Sequence, residues 1–244
     1  MSWYQSDLQQ SESAYIPPTW ADGTDEEIIE ALTKHYNDEI DLTEYWAVGD
    51  ERVVSLSAME ATGVGESHAA QSVTLVLSNV GGKYLADGVT ECAFQVDQKD
   101  VLNEKGYMND SYTNYGGWKN SARRTWCNSV YKNAIPSTLR GIFKEFINQS
   151  GKGYSSTSGV ENTTDYFALR AEVELTGSYS ESVSGEGSQV NWYETTSNRI
   201  KHKQWWLRSP KSGFNDSFCA ALEDGSTYYY FASFTYGIAP FGVI

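Results

Sequence analysis

The chain has 244 residues, and its 32 acidic against 18 basic side chains give it a net charge of -14. This charge repels nucleic-acid phosphates and anionic membrane surfaces, which argues against a DNA- or RNA-binding protein and against binding to an anionic membrane surface. Membrane insertion is not expected either, for want of an apolar span. Apolar residues make up 40% of the chain, enough for a folded core, while no apolar run reaches the ~20 residues that span a bilayer. Residues 1–10 lack the charged start and apolar centre of a secretory signal.

Aromatic residues are frequent, with 17 Tyr, 8 Trp and 9 Phe. Two interpretations of this composition are open. Tyrosine and tryptophan provide a large contact area at low cost in entropy, which favours a recognition surface. Aromatic side chains also favour β-strands, so the same composition suits a β-rich core.

The N-terminal part of the chain divides into an arm and a helix. Residues 1–20 are predicted to form a loosely held arm, which could attach the protein to a virion or to a surface scaffold. Thr24 to Glu27 have the pattern of a capping box, so a helix is predicted to begin after Thr24. The apolar stripe of this helix comprises Ile28, Ile29, Leu32 and Tyr36.

Strands are predicted after this helix. Residues 46–56 have the composition of a strand that is interrupted at Gly49-Asp50, which predicts a hairpin. The run Ser-Val-Thr-Leu-Val-Leu-Ser over residues 72–78 predicts a central strand, and residues 91–96 are predicted to pair with it.

Two further helices are predicted, over residues 120–130 and from Pro136 to about Ile147. The second helix is expected to end at Gly151 and Gly153. Its predicted core face comprises Leu139, Ile142, Phe143, Phe146 and Ile147. Short strands and turns are expected from about Asp165 onward. Because no repeat and no Pro- or Gly-rich linker divides the chain, residues 21–244 are predicted to form one α+β domain.

The usual catalytic and metal-binding motifs are missing from the sequence. The histidines lack the spacing of a metal site, and no nucleophile elbow or phosphate-binding loop occurs. We predict ordinary surface positions for His35, His68 and His202. We predict core or surface thiols, with one disulfide as the alternative, for Cys92, Cys127 and Cys219.

Carboxylates are so numerous that a catalytic pair can always be drawn among them. Glu172 and Glu174 lie near Asp165 in sequence, so they are candidates for a glycosidase-type pair or for partners of Arg208. Acidic side chains would suit calcium, but no EF-hand loop occurs. We therefore predict no catalytic residue, no metal site and no cofactor.

The string Trp-Trp-Leu-Arg-Ser-Pro at residues 205–210 is the most informative motif. It predicts a buried strand whose Arg208 needs a fixed carboxylate or carbonyl partners. It resembles the same motif in a family of phage and bacterial surface domains, where a short polar stretch and a Gly-x-x-Pro-x-Phe ending follow. In this protein, residues 237–244 read Gly-Ile-Ala-Pro-Phe-Gly-Val-Ile. Further elements similar to that family are Gly116-Gly117-Trp118, the Pro136 helix, Gly185-Glu186-Gly187, and Trp46 with Gly49-Asp50.

The resemblance covers about residues 20–244 and implies a fold similar to C-type lectins, in the form used by formylglycine-generating enzymes and phage tropism determinants. It implies an α+β fold with two main helices around a twisted antiparallel sheet and a loop-rich C-terminal half. It also implies a variable protein, of the kind that a diversity-generating retroelement rewrites by copying a template with errors at adenines.

The C-terminal segment fits such rewriting. A diversified Asn codon never encodes Lys, Glu, Gln, Met or Trp, and residues 212–240 contain only Glu223 from that set. Residues 212–236 are therefore predicted to be a variable region, whose composition resembles an antibody paratope. Alternation around Asp224-Gly225 predicts a β-hairpin with one packed face, and the alternative interpretation is that this hairpin is plain core.

These observations favour a non-catalytic binding module, viral or displayed at a cell surface, whose variable face binds a protein or glycan ligand on a cell. Stacking and tyrosine hydroxyl groups would supply the contacts. The predicted ligand-binding residues are Phe214, Asn215, Asp216, Phe218, Tyr228, Tyr229, Tyr230, Ala232, Phe234 and Tyr236.

Three alternatives are weighed against the binding module. A structural tail or spike subunit would use the aromatic face as a subunit interface, and the N-terminal arm suits it equally well. A formylglycine-generating enzyme uses a close cysteine pair in the C-terminal half, where this chain has only Cys219. A calcium-dependent lectin typically carries Glu-Pro-Asn or Trp-Asn-Asp strings, which are absent from this sequence.

Overall fold

The computed structural model describes residues 15–154 and 159–244. The helices are α1 (Asp25–Tyr36), α2 (Ala122–Trp126), α3 (Lys132–Ala134), α4 (Ser137–Arg140), α5 (Glu172–Thr176) and α6 (Asn191–Glu194). The strands are β1 (Glu51–Leu56), β2 (Gln71–Val80), β3 (Phe94–Gln98), β4 (Phe146–Gly151), β5 (Val160–Asp165), β6 (Trp205–Pro210), β7 (Ser217–Ala221), β8 (Thr227–Phe231) and β9 (Phe241–Val243). Helices and antiparallel strands are mixed along the chain, which confirms the α+β class.

Helix α1 begins where the sequence predicts. The Thr24 hydroxyl accepts a hydrogen bond from the Glu27 N–H at 3.2 Å, and the Glu27 carboxylate accepts one from the Thr24 N–H at 2.8 Å. Both bonds satisfy donors that the first helical turn leaves unpaired. Ile28 and Leu32 are buried, whereas Ile29 is 39% exposed, so the apolar stripe is narrower than predicted.

The first sheet has the strand order β1-β2-β3-β9. Its centre confirms the predicted strand at 72–78 and its pairing with the segment at 91–96. The predicted hairpin within residues 46–56 is wrong. A turn at Gly49 precedes β1, and Asp50 accepts a hydrogen bond from the Ala47 N–H at 2.9 Å, so β1 pairs with β2 instead of folding back on residues 46–48.

The helical region after residue 120 is partly as predicted. A continuous helical segment runs from α2 through a π-helical turn, Cys127–Tyr131, into α3. The predicted helix from Pro136 to Ile147 ends at Arg140, and Phe146 begins β4. Residues 146–150 alternate between buried and more exposed positions, the two-residue period of a strand, and they pair with β5. The strand period and this pairing therefore prevail over the helical pattern.

The third sheet has the order β6-β7-β8 and includes the predicted hairpin at Asp224-Gly225. The prediction that one face of this hairpin packs is wrong for β7, where every residue is buried. Phe218 and Ala220 join the main core, which also contains Trp206. Cys219 and Ala221 join a second core on the opposite face, and only β8 keeps exposed side chains.

The predicted N-terminal arm is only partly covered by the structure, because residues 1–14 lie outside the described residues. Residues 15–20 contact the domain, which corrects the expectation of a loosely held segment. Trp20 is fully buried, and the Trp46 indole N–H donates to the Pro18 carbonyl oxygen at 2.8 Å. Among the described residues, no helix is both long and apolar enough to cross a membrane.

We predict that Gly117→Ala destabilises the fold more than Gly63→Ala. Both glycines have a positive φ, +55° and +76°, so alanine strains the backbone at either position by about 1–3 kcal/mol. At Gly117 the added Cβ would also lie 2.0 Å from the Gly151 carbonyl oxygen, whereas at Gly63 it meets nothing within 4 Å. Chemical unfolding of the two variants measures the difference, and equal losses of stability would contradict this packing.

Candidate functional site

Arg208 has the fixed partners that the sequence predicts. Its guanidinium is fully buried in β6. Nη1 donates to Glu174 Oε2 at 2.5 Å, and Nη2 donates to Glu174 Oε1 at 3.0 Å. The other donations reach the carbonyl oxygens of Gln149, Leu169 and Glu186. The two-pronged pairing matches the planar geometry of a guanidinium and fixes the orientation of Glu174.

A second buried arginine and a lysine extend this ion pair into a network. Arg170 Nε donates to Asp97 Oδ1 at 3.0 Å, which ties the segment before α5 to β3. Lys83 Nζ lies 2.5 Å from Glu174 Oε1, so cations contact both oxygens of that carboxylate. We call this network the ionic core, and it consists of Lys83, Asp97, Arg170, Glu174 and Arg208.

The pKa shifts follow from burial and from these charges. Burial by itself would raise the pKa of Glu174, but Arg208, Lys83 and Arg170 outweigh burial and hold the pKa well below its usual range. Burial lowers the pKa of Lys83 to about 8 against the opposing effect of Glu174. Burial raises the pKa of Glu186, which has one carboxyl oxygen without a hydrogen-bond partner.

The candidate glycosidase-type carboxylates are committed to structural contacts. Glu172 accepts hydrogen bonds from the hydroxyls of Ser180 and Ser182 at 2.7 Å. Asp165 accepts from the Trp118 indole N–H at 2.9 Å and from Arg124 at 2.6 Å. Both carboxylates are buried, as is Glu174 in the ionic core. The interpretation of these residues as ion-pair and hydrogen-bond partners is therefore the one that the geometry supports.

Exposed and half-buried aromatic rings lie together around β8 and the loops beside it. We call this the aromatic surface, and it comprises Tyr112, Phe214, Tyr228, Tyr229, Tyr230, Phe231, Phe234 and Tyr236. One row of rings runs from Phe214 through Tyr229 to Tyr228, with centroid distances of 5.1 and 4.5 Å. Tyr228 continues it to Tyr230 at 5.7 Å. Such contacts are typical of aromatic side chains that hold one another in place.

The aromatic surface includes two residues that sequence reasoning missed. Phe231 is 42% exposed, and its ring lies 5.1 Å from that of Tyr112 and 5.4 Å from that of Phe234. Phe231 belongs to the same aromatic tract as the predicted residues, so the strand period could have identified it. Tyr112 lies far away in sequence, and nothing in the sequence brings it to β8.

The structure divides the predicted ligand-binding residues into two groups. Phe218 and Ala232 are fully buried and are not accessible to a ligand, which corrects their assignment. Both side chains belong to the main core, because β7 and the end of β8 pack there. Exposed or half-buried positions are occupied by Phe214, Asn215, Asp216, Tyr228, Tyr229, Tyr230, Phe234 and Tyr236.

Buried Asn114 fixes the loop that presents Phe214 and Asn215. Its side-chain amide donates to the carbonyl oxygens of Phe214 and Ser217 at 2.9 and 2.8 Å, and its main-chain N–H donates to Asn215 O at 2.9 Å. Lys211, which pairs with Glu181, lies 4.8 Å from the Tyr229 ring. The loop is thus held beside β8, where the Phe214 ring contacts that of Tyr229.

Two tyrosine hydroxyls of this surface, those of Tyr229 and Tyr236, have a raised pKa and are therefore neutral at ordinary pH. Burial and then Tyr230 raise the pKa of Tyr236 to about 12. A hydrogen bond with Tyr228 raises the pKa of Tyr229. Neutral phenols can both donate and accept hydrogen bonds, so these rings combine apolar area with polar recognition.

All three cysteines and one of the three histidines are buried. Within residues 15–154 and 159–244, no group of three or more His, Cys, Asp or Glu side chains could hold a metal ion. Cys92, Cys127 and Cys219 are free and buried, so the disulfide alternative is wrong. Burial, followed by the charge of Arg123, lowers the pKa of His68 to about 4, and its 2% exposure corrects the predicted surface position.

Comparison with known proteins identifies the family. Residues 93–243 match the model of DUF6273, a domain of unknown function, so the chain belongs to that family. The matched range contains strands β3 to β9, most of the ionic core and the whole aromatic surface. Searches of curated proteins and of solved structures found no match.

We predict that Glu174→Gln lowers the free energy of unfolding by about 3–5 kcal/mol, because it leaves Arg208 and Lys83 buried without their counter-charge. The matched control is Glu51→Gln, which removes the carboxylate of the half-exposed pair with Lys99 and should cost less than about 1 kcal/mol. Urea unfolding compares the two variants. Similar losses would show that the ionic core is no more important than a surface pair.

We predict that His68→Phe flattens the acid dependence of stability between pH 6.5 and about 4. In this window the unfolded chain protonates His68 and the folded chain does not, so the free energy of unfolding falls as pH falls, by about 3 kcal/mol at most. Unfolding curves at several pH values measure the slope. His68→Gln also lacks the charge and should show the same flattening, and a wild-type slope in both variants would contradict the prediction.

Proposed function

We propose that this member of the DUF6273 family is a non-catalytic binding protein whose aromatic surface contacts a ligand on a cell surface. The observation that carries the proposal is the grouping of exposed and half-buried rings on one sheet edge and its flanking loops. Large exposed apolar patches usually mark interaction sites. Tyrosine is also enriched among the residues that dominate binding energy.

The chemistry of the surface supports recognition by stacking and hydrogen bonding. Tyr228 is 45% exposed, Phe214 43% and Phe234 40%, so each ring offers area to a partner. Their neighbours restrict their rotamers, which lowers the entropy that binding would cost. A protein or a glycan ligand suits such a surface, because both present apolar faces beside hydroxyl or carbonyl groups.

We also propose that residues 212–236 are a variable region on a fold of the C-type lectin class, carried by a viral or cell-surface protein. The division of the hairpin supports this proposal. Phe218 and Ala232 belong to the core, whereas Phe214 and Tyr228 project outward above it. Outward side chains of this kind can be exchanged without repacking the core, which is the property that diversification needs.

A second candidate function is a structural subunit whose aromatic surface packs against another chain. The position of β8 at the edge of its sheet favours this candidate, since edge strands are common sites of association. An oxidising enzyme of the formylglycine-generating type has less support. Burial raises the pKa of Cys219 well above its usual value, which disfavours the reactive thiolate.

We predict that the double variant Tyr228→Ser with Phe234→Ser loses binding at least tenfold while its stability stays close to wild type, because both rings are exposed. The probes are a glycan array and a phage-displayed library of random linear peptides, each tested against the full chain. The matched control, Tyr84→Ser with Val89→Ser, removes two exposed apolar residues elsewhere and should bind as wild type does.

Two outcomes would contradict the proposed function. One is that neither probe yields a specific binder of the wild-type chain. The other is that the double variant binds as well as the control variant. If the double variant instead unfolds at a clearly lower temperature, the rings serve the core rather than a ligand.

A further inference from the structure

Strand β8 is the outermost strand of its sheet. The order is β6-β7-β8, and within residues 15–154 and 159–244 no strand pairs with the outer side of β8. Its pairing with β7 is regular over all five residue pairs, without a bulge. No bulge therefore interrupts the outer side of β8, and an added strand requires such a continuous edge.

The register shows which backbone groups face outward. The Leu222 N–H donates to Ser226 O at 2.8 Å, and the Ala232 N–H donates to Asp216 O at 2.8 Å. Bonded pairs alternate along an antiparallel ladder, so the main-chain groups of Tyr228 and Tyr230 must also point to β7.

The main-chain groups of Thr227, Tyr229 and Phe231 consequently point away from β7. The Phe231 carbonyl oxygen accepts from the Phe234 N–H at 2.9 Å. Among the described residues, the N–H and C=O groups of Thr227 and Tyr229 have no hydrogen-bond partner outside the sheet. Two donors and two acceptors are thus presented in the spacing of a β-ladder.

The composition of β8 leaves this edge unprotected. Natural edge strands are commonly protected by charged residues, proline or bulges. In this protein β1 carries Glu51 and Arg52, and β5 carries Glu161 and Asp165. Strand β8 reads Thr-Tyr-Tyr-Tyr-Phe and has none of these features. The unprotected edge coincides with the aromatic surface.

Side chains and charge restrict the occupant. Tyr228 and Tyr229 start on opposite faces of β8, and their stacked rings, 4.5 Å apart, meet past its outer edge, so an added strand must part them. Its side chains would then lie alternately beside Tyr228 and Tyr230 on one face and beside Tyr229 and Phe231 on the other. Aromatic and β-branched residues suit both rows. Asp216 and Asp224 flank the two ends of the hairpin, and the chain carries a net charge of -14, which favours basic residues at the ends of the partner segment and opposes a second copy of this chain.

We propose that the outer edge of β8 binds an extended peptide segment of a partner protein as a fourth strand of the β6-β7-β8 sheet. The segment alternates aromatic or β-branched residues and has basic ends. This inference rests on the proposed function and deepens it by naming the partner class. Main-chain hydrogen bonds to Thr227 and Tyr229 supply the affinity, and the two rows of rings supply the selectivity.

The test begins with a phage-displayed library of random twelve-residue linear peptides selected on the full chain. Selected peptides are synthesised with a single N-methyl group at each position in turn. If the peptide binds as an added strand, an N-methyl group should lower the affinity at least tenfold at every second position in the middle of the peptide. The positions between should lose little affinity, because only alternate N–H groups bond to β8. The absence of selected peptides, or a loss without this two-residue period, would overturn the proposal.

Two variants test the protein side. Tyr229→Pro removes the outward N–H without removing a bond to β7, a replacement that edge strands tolerate. Tyr229→Ala removes the same ring and keeps the N–H. We expect at least tenfold weaker peptide binding by Tyr229→Pro than by Tyr229→Ala, and equal binding would overturn the proposal. If Tyr229→Pro does not fold, the N-methyl scan on the wild-type chain decides.

The outcomes separate this inference from the proposed function. Glycan binding that depends on Tyr228 and Phe234, without any peptide binding, would overturn the inference and leave the proposed function standing. Sedimentation that shows a wild-type dimer and a Tyr229→Pro monomer would assign the edge to a second copy and would overturn the peptide partner. If neither the glycan array nor the peptide library yields a specific binder, both the inference and the proposed function are overturned.

Discussion

The pairing of Arg208 with Glu174 is the contact on which the C-terminal half of the molecule depends. A guanidinium without partners in this position would be strongly destabilising, because its water is lost on burial. Its donors therefore require three carbonyl oxygens in addition to the carboxylate. Those oxygens belong to β4, to the segment before α5 and to the loop at Glu186. One buried side chain thus fixes the relative positions of segments that are far apart in sequence.

The ionic core also connects the sheets. Arg170 holds Asp97 of β3, and Lys83 approaches Glu174 from the segment after β2. Apolar residues alone would hold these segments together with little directional preference, whereas hydrogen-bonded charges accept few alternative geometries. We interpret the ionic core as a feature that specifies one arrangement of the sheets. The cost of burying its charges is offset by hydrogen bonds from the guanidinium groups of Arg170 and Arg208.

The sequence predicted those features that local patterns encode. The capping box at Thr24 and the hairpin at Gly225 depend on neighbours in the chain, and both were found. It was also predictable that Arg208 needs partners, because a charged side chain in an apolar strand is buried and requires hydrogen-bond acceptors there. The identity of the partner could not be predicted. Glu172, Glu174 and Asp165 all carry carboxylates, and only the fold shows which of them reaches Arg208.

The errors have one physical cause, which is that tertiary pairing decides between local alternatives. The run from Pro136 to Ile147 has helical spacing, but its last residues gain more from pairing with β5. Phe218 belongs to an aromatic tract that resembles a paratope, but its side chain packs in the main core, while a second core covers the opposite face of β7. Whether a strand has one buried face or two depends on what packs against it. The sequence of the strand alone does not contain this information.

Burial of β7 on both faces also explains why recognition would concentrate on β8. A strand between two cores cannot change its side chains without disturbing one of them. Strand β8, in contrast, can change its exposed side chains without disturbing a core. Its inward backbone bonds all go to β7, while Tyr228 and Phe231 remain exposed. The rigid strand therefore fixes the position of the exposed one, and the rings on β8 can vary in type while staying at defined positions. For the proposed binding function, such a division would lower the entropy lost on association. The position of the aromatic surface then depends on the same buried contacts that hold the C-terminal half together.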